Sequence, residues 1–521
     1  MDFEFQLKKS FGLTSFRQGQ REIISAILSG QDVLAVLPTG GGKSLCYQFP
    51  AVFTNQLVIV ISPLIALMKD QVASLVRQGL RAGCLHSGQS EAEKRQVFSA
   101  INEGGSFVLY LSPERAQKEG FRNWLMGRKL ALFAIDEAHC VSQWGHDFRE
   151  EYAELKALKM LRPDIPILAL TASATPTVLK DISKQLNLNK PEKMVYGFYR
   201  PNLYYQVETC ADEESKLPLI LQGLRQNPKG RILIYCGTRR STEELAGYLK
   251  RSHQQVGYYH AGLQTQERTA VQDAYISGDL RILVATNAFG MGIDQPDVRL
   301  VIHYQMPANI DCLYQEMGRA GRDGQDSTCL MLYSRKDKGL QSYFIQSSDA
   351  PGAVKDLRWR NLEALVNYSE GSECRHSEIL TYYRDKQRIQ RCGHCDSCDP
   401  TSDRKIQLPR GLPSMTSFFT QSQSSASGSK ASASRMRLRK AAKTGLSLDF
   451  VQEQRFQLLR KWRKDKALEI DAPVFIIFSD ETLKQIAVKN PQRLEDLKKI
   501  HGIGELKLEK FGYDILSELN K

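Results

Sequence analysis

From residue 33 to about 335 the chain alternates short apolar runs with amphipathic stretches, and this alternation restricts the fold more than any other feature. The runs VLAVL (33–37), LVIVIS (57–62), FVLYLS (107–112), LALFAI (130–135) and ILALT (167–171) are too uniformly apolar for strands with one wet face. Each is followed by a polar or glycine-containing turn and then a helical pattern. Strands buried on both faces and joined by helices imply a parallel sheet covered by helices on each side. A second series repeats the pattern: RILIYC (231–236), VGYYH (256–260), RILVAT (281–286), RLVIHY (299–304) and CLMLYS (329–334). The expected fold class is α/β with two parallel-sheet lobes, 1–196 and 197–340, divided near Gly197.

The remainder of the 521 residues reads differently. Residues 341–400 begin helical and turn cysteine-rich. Residues 401–449 form a basic, serine-rich linker, with seven serines among the fourteen residues 421–434. Such a segment buries too little apolar surface to offset its ordering entropy and is expected to be disordered. Helical periodicity returns over 450–521 and suggests a small all-α domain. The net charge of +13 points to a polyanionic partner, but residues 401–448 alone carry nine Lys/Arg and one Asp. Charge therefore describes the linker, and any claim about the lobes rests on particular residues. There is no apolar run long enough to span a bilayer and no secretory signal at the start. Eleven cysteines, four of them clustered, fit a reducing compartment and a metal better than disulfides.

Between an apolar run and a helical pattern lies LPTGGGKS (37–44). Glycine permits close backbone approach, so Thr39, Gly40, Gly41 and Gly42 can present N–H groups to a phosphate. Lys43 would reach the β and γ phosphates, and the Ser44 hydroxyl would bind Mg²⁺. The alternative is a glycine-rich turn before an ordinary helix. The run LALFAI ends in Asp136 and Glu137. A carboxylate at the C-terminal end of such a strand suits Mg²⁺, which assigns Asp136 to the metal and Glu137 to the attacking water. In the second lobe QEMGRAGRDG (315–324) places Arg319 and Arg322 three apart. An arginine set against developing charge accelerates phosphoryl transfer, and closure of two lobes could bring it there. Cys392, Cys395 and Cys398 form a C-x₂-C-x₂-C run, with Cys374 eighteen residues earlier. Four thiolates suit tetrahedral Zn²⁺ in a closed structural site. An iron–sulfur cluster is the chemical alternative, and His376 or His394 could replace one thiol.

Eight motifs in order resemble those of RecQ-family DNA helicases: FGLTSFRQGQ (11–20), LPTGGGKS, SPLIALMKDQ (62–71), DEAH (136–139), CVSQWGHDFR (140–149), TASAT (171–175), ATNAFGMGID (285–294) and QEMGRAGRDG. The resemblance covers residues 1 to about 400. It implies RecA-like lobes, ATP and Mg²⁺ as cofactors, and zinc rather than iron–sulfur at the cysteines. By the same resemblance Arg17 and Gln20 read the adenine, although Leu13 stands where the family often has a stacking aromatic. Asp294 contacts the ribose or couples the lobes, His139 and Gln315 sense the γ-phosphate, and Arg322 acts as arginine finger with Arg319 second. Trp144, Phe148 and Arg149 resemble the family's aromatic-rich loop, which couples strand binding to hydrolysis. The end of the chain is similar to the helicase-and-RNase-D C-terminal (HRDC) domain.

A family feature is absent from the pattern: the linker stands where a winged-helix domain commonly follows the zinc segment. The expected activity is that of an ATP-dependent DNA helicase moving 3′ to 5′ in repair, recombination or replication. An RNA helicase, or a DNA-annealing protein with a vestigial nucleotide site, is the alternative. DNA is the expected partner. A single-strand binding protein, a topoisomerase or a sliding clamp are candidate protein partners, the last through LPSMTSFF (412–419). The setting would be cytoplasm and nucleoid in a bacterium, or nucleus in a eukaryote.

Overall fold

The computed structural model describes residues 2–142, 144–145, 148–290, 295–408, 448–470, 474–500 and 502–519. Most of the linker, 409–447, lies outside the described residues, as does the LPSMTSFF segment. The chain divides into two compact units. One comprises 1–212, 227–366 and 373–405, and the other 213–226, 367–372 and 406–521.

The first unit holds two sheets. One is built from β1 Val33–Val36, β2 Leu57–Ile61, β3 Ala82–Leu85, β4 Phe107–Leu111, β5 Leu130–Ile135, β6 Ile167–Thr171 and β7 Glu192–Val195, in the order β3-β4-β2-β5-β6-β1-β7. The other runs β10-β11-β9-β12-β13-β8, from β8 Leu203–Thr209, β9 Arg231–Tyr235, β10 Val256–Tyr259, β11 Ile282–Ala285, β12 Val298–His303 and β13 Ser327–Tyr333. All pairings are parallel. Sheet membership changes between Val195 and Leu203.

The ten apolar runs read from the sequence all become strands. Three more, β3, β7 and β8, were not legible as such, and all three lie at sheet edges. An edge strand need not be apolar on both faces, so AGCL, EKMV and LYYQVET lack the continuous signal of the inner strands. The β8 edge is covered by the cysteine-rich segment. Tyr205 forms a parallel bridge with Cys395. Asp396 N–H donates to Tyr205 O at 2.9 Å, and Val207 N–H donates to Asp396 Oδ2 at 2.9 Å. Arg375 holds the same carboxylate from Nε at 2.9 Å. Unpaired edge groups are thus satisfied within the chain.

In the second unit the residues after 448 form helices Phe450–Glu469, Val474–Ile477, Asp480–Lys489, Leu494–Lys498 and Glu505–Leu519. They enclose a core of Phe456, Leu459, Phe478, Ile486, Leu497 and Ile515. Arg463 is buried and donates to Phe478 O and Asp480 Oδ1, each at 2.7 Å. Among the described residues no helix is long and apolar enough to cross a membrane.

Asp32, just before β1, fixes the start of three neighbouring strands. Its Oδ1 accepts from Lys159 Nζ and from Ile167 N–H at β6, both at 2.8 Å, and its Oδ2 accepts from Asn189 N–H, ahead of β7, at 2.7 Å. Removing the carboxylate strands a buried ammonium and two backbone donors. Asp32→Ala is expected to lower unfolding free energy by roughly 3–5 kcal/mol, read from urea denaturation of the full chain; a loss below about 1 kcal/mol would mean that the pair is not what holds these strands.

Candidate active site

The loop 38–42 leaves β1 and enters the 12-residue helix Lys43–Thr54. Gly41 N–H donates to Pro38 O at 2.9 Å and closes a turn. Gly40 and Gly42 take φ of 79° and 75°, a region that side chains disfavour. Arg17 Nη1 donates to Gly40 O. Gln20 Nε2 donates to Gly42 O at 2.9 Å, while its Oε1 accepts from Arg17 N–H at 2.8 Å. The two residues expected at the adenine therefore meet the phosphate loop itself. With these carbonyls bonded, the helix's first N–H groups remain to face an anion.

Strand β5 lies one strand away from β1 across β6 and delivers Asp136 and Glu137. Asp136 is buried, and its Oδ1 accepts the Glu137 N–H at 3.0 Å. Burial and the Glu137 carboxylate push its pKa up to about 6, against the pull of Lys43. A divalent cation bound there would favour the ionised carboxylate. Lys43 Nζ stands 3.9 Å from Glu137 Oε1. Glu137 has a φ of +48°, a left-handed conformation that costs a non-glycine residue about 1–3 kcal/mol and recurs at functional sites. Buried His139 lies between Thr171 Oγ1, at 3.0 Å, and Glu137 Oε2, at 3.3 Å. Burial opposes its charge, but Cys140 and Glu137 outweigh burial and raise its pKa to about 10. Ser44 is the second residue of the helix and lies near Tyr47.

The second lobe meets this site through the helix Ile310–Met317 and the turn after it. Gln315 Nε2 donates to Ser173 Oγ, in the loop following β6, at 3.0 Å. A Cβ placed on Gly40 would lie 3.2 Å from Arg322 Cγ, so this side chain packs on the phosphate loop. Arg319 instead lies near Tyr235, with Nη2 beside Gly290. Asp294 lies outside the described residues.

Arg200 was missed by sequence reasoning. Its Nη1 donates to Thr39 O at 3.3 Å and to Gly318 O at 3.5 Å, and its Nη2 to Ala320 O at 2.9 Å and Gly321 O at 3.1 Å. One guanidinium thus joins the phosphate loop to the arginine-bearing turn. The only mark the sequence offers is an arginine directly before Pro201, where the backbone is confined to extended conformations.

The aromatic loop departs from the same acids. Arg149 N–H donates to Cys140 O at 3.0 Å and Gly145 N–H to Ser142 O at 2.9 Å, which folds the segment back on itself. Trp144 is 38% exposed, and Phe148 is half-buried. Arg149 Nη1 reaches Pro63 O at 3.3 Å, and Tyr152 OH donates to Asp136 O at 3.2 Å. Residues 143, 146 and 147 lie outside the described residues. Phe148 also lines a cavity of about 810 Å³, shared with Gln305 and Asn309 of the second lobe and with Phe344.

The sulfurs of Cys374, Cys392, Cys395 and Cys398 all lie within 4.8 Å of one another, as four ligands of one tetrahedral ion require. The proximity of Cys392 and Cys395 lowers the pKa of the Cys374 thiol, which favours the thiolate that a metal requires. His376 is buried, with its Nε2 bonded to Leu203 O at 3.1 Å and its ring stacked on Tyr205 at 4.1 Å, and it forms with Cys392 and His394 a second group of donor atoms within 4.8 Å of one another.

The sequence matches four family descriptions in chain order: DEAD/DEAH box helicase over 17–182, helicase conserved C-terminal domain over 215–324, RecQ zinc-binding over 335–399 and HRDC domain over 452–519. It is 34% identical to the ATP-dependent DNA helicase RecQ of Bacillus subtilis, across 98% of this chain and 97% of that one. The putative ATP-dependent RNA helicase R290 of Acanthamoeba polyphaga mimivirus is 40% identical over 75% of this chain and 71% of its own. Among solved structures, the helicase Lhr of Mycobacterium smegmatis, bound to ssDNA and AMP-PNP, matches with a TM-score of 0.52 over 66% of this chain and 49% of its own. At 22% identity that likeness is one of fold. Similarity to a RecQ along nearly the whole sequence, with the zinc-binding match falling on the four-cysteine cluster, leaves one assignment: the chain belongs to the RecQ family of helicases.

Proposed function

We propose that this protein is an ATP- and Mg²⁺-dependent DNA helicase that moves 3′ to 5′ along one strand and separates duplexes in DNA repair and recombination. The observation that carries this reading is the packing of Arg322 from one lobe on Gly40 of the other, with the aromatic loop leaving directly from Asp136 and Glu137. In this reading 1–196 and 197–340 are the motor lobes, 341–400 the zinc segment, 401–449 the linker and 450–521 the HRDC domain.

Lys43 and the N–H groups of the loop hold the phosphates. Ser44 and Asp136 are the Mg²⁺ ligands. Mg²⁺ there neutralises phosphate charge and favours the ionised form of Asp136. Glu137 orients the attacking water and takes its proton. Arg322 meets the charge that develops as the bond to the leaving phosphate breaks, with Arg319 behind it. His139 and Gln315 report the γ-phosphate, and Arg17 and Gln20 swing from the loop to the base. Trp144 and Phe148 stack on bases and Arg149 braces their loop. The four cysteines bind Zn²⁺ as a structural ion. A single-strand binding protein, a topoisomerase or a sliding clamp are its protein partners, and nucleoid or nucleus its place of action.

RNA is the second reading, prompted by the name of the mimivirus relative. ATPase measured with matched DNA and RNA oligonucleotides separates the two, and equal stimulation by RNA would overturn the DNA assignment. Forked, 3′-tailed and 5′-tailed duplexes, tried with and without residues 401–521, test polarity and the need for a separating wedge.

Lys43→Ala is expected to abolish ATP turnover while single-stranded DNA binding stays within about threefold; DNA-stimulated turnover in the purified variant would refute its role. Trp144→Ala should weaken single-stranded DNA binding about tenfold and blunt DNA stimulation, with basal ATPase preserved; unchanged stimulation would remove Trp144 from the coupling loop. For Cys395→Ser, metal analysis should find zinc lost, and proteolysis should open the segment around 374–398. Full zinc retention in that variant would rule out the four-sulfur assignment.

A further inference from the structure

The cysteine-rich segment touches the motor at a place that none of these roles uses. Its helix Arg375–Tyr382 begins at Cys374, whose Sγ accepts the Ser377 N–H at 3.5 Å, and runs into Tyr383. The Tyr383 ring lies flat on Phe198, with centroids 4.1 Å apart and planes 9° apart. Its hydroxyl donates to Asp311 Oδ1 at 2.9 Å, beside Tyr382 OH on Oδ2 at 3.1 Å. Asp385 Oδ2 accepts the Phe198 N–H at 3.0 Å. Tyr314 completes the cluster, donating from its hydroxyl to Phe198 O at 3.4 Å, with its ring 5.3 Å from those of both Phe198 and Tyr383.

Each contact leads to the ATP site by a short covalent path. Phe198 lies in the crossing from β7 to β8, two residues before Arg200. Asp311 and Tyr314 lie on the helix that carries Gln315 and leads into the turn of Arg319 and Arg322. The rings of Phe198, Tyr314 and Tyr383 are 1%, 1% and 2% exposed, so they form no surface for a nucleic acid. What they do is fix two segments whose next residues face the phosphate loop. Catalysis by positioned charge is sensitive to displacement, with about a 100-fold loss for 1 Å.

We propose that Tyr383 is a positioning residue for ATP hydrolysis: by clamping Phe198 and Asp311 together, it sets Arg200 and the Arg322 turn against the phosphate loop, and so makes the cysteine-rich segment part of the motor. This rests on the reading of Arg322 as the group that meets the phosphates. The phosphate loop and the metal-binding acids all belong to the first lobe, whereas the clamp governs the second lobe's approach. Loss of the clamp therefore falls on kcat and spares KM for ATP.

The test uses full-length, zinc-loaded protein with saturating single-stranded DNA. Tyr383→Leu removes stack and hydroxyl, Tyr383→Phe removes only the hydroxyl, and Arg200→Lys keeps the charge but breaks the fork. Tyr383→Leu should lower kcat tenfold or more, on the order of a sub-ångström displacement, with KM for ATP within about twofold and zinc content equal to wild type. Tyr383→Phe should lose roughly two- to fivefold. Combined with Arg200→Lys, either change should cost less than the product of the two single losses, since both act on the seating of the same turn. The proposal is overturned if zinc-loaded Tyr383→Leu turns over at the wild-type kcat, or if the losses multiply in the double variants. Should Tyr383→Leu fail to hold zinc, the Tyr383→Phe cycle decides the question in the same way. Absence of DNA-stimulated ATPase in the wild type is a separate outcome, which defeats the helicase reading.

Discussion

The site depends on one guanidinium. Arg200 donates to Thr39 O on one side of the cleft and to Gly318, Ala320 and Gly321 carbonyls on the other. A planar fork with fixed donor directions can serve several acceptors at once, which an ammonium on a flexible stem does less well. The hydrogen bond from Gln315 to Ser173 adds a second tie. Arg322 packs on Gly40 beside these ties.

Within the first lobe the governing constraint is burial of negative charge. Asp136 carries a raised pKa because water is excluded and Glu137 is adjacent, and Lys43 offsets only part of that cost. A carboxylate left in this state is poised for a cation. The left-handed backbone of Glu137 adds strain at the same point. The loop of Trp144 and Phe148 begins three residues beyond it, closed by the Cys140–Arg149 hydrogen bond and tied to Asp136 O through Tyr152. The loop and the acids are thus joined through the main chain and through the Tyr152 hydroxyl.

The cysteine-rich segment links the two themes. It covers the free edge of β8 through Asp396 and Tyr205, and it ends its helix against Phe198, in the crossing from β7 to β8. A structural metal that orders this segment would therefore stabilise a sheet edge and brace the crossing between lobes together.

The inner strands, the glycine loop, the acids ending β5 and the four-cysteine spacing were legible in the sequence, because burial on both faces and close backbone approach demand particular residue types locally. Edge strands β3, β7 and β8 were not, since an edge makes a weaker demand. The contacts that assemble the site across the cleft were beyond sequence reasoning. Arg200 binds only main-chain carbonyls, which every residue possesses, so nothing in the composition of 318–321 marks them as its partners. Tyr383 and Phe198 are separated by the second lobe and much of the cysteine-rich segment, and either ring alone reads as ordinary core. Periodicity and spacing determined which chemistry each lobe carries; only the packing of distant segments decided which groups face one another, because that choice is made by the geometry of the folded backbone and not by the side chains taken in order.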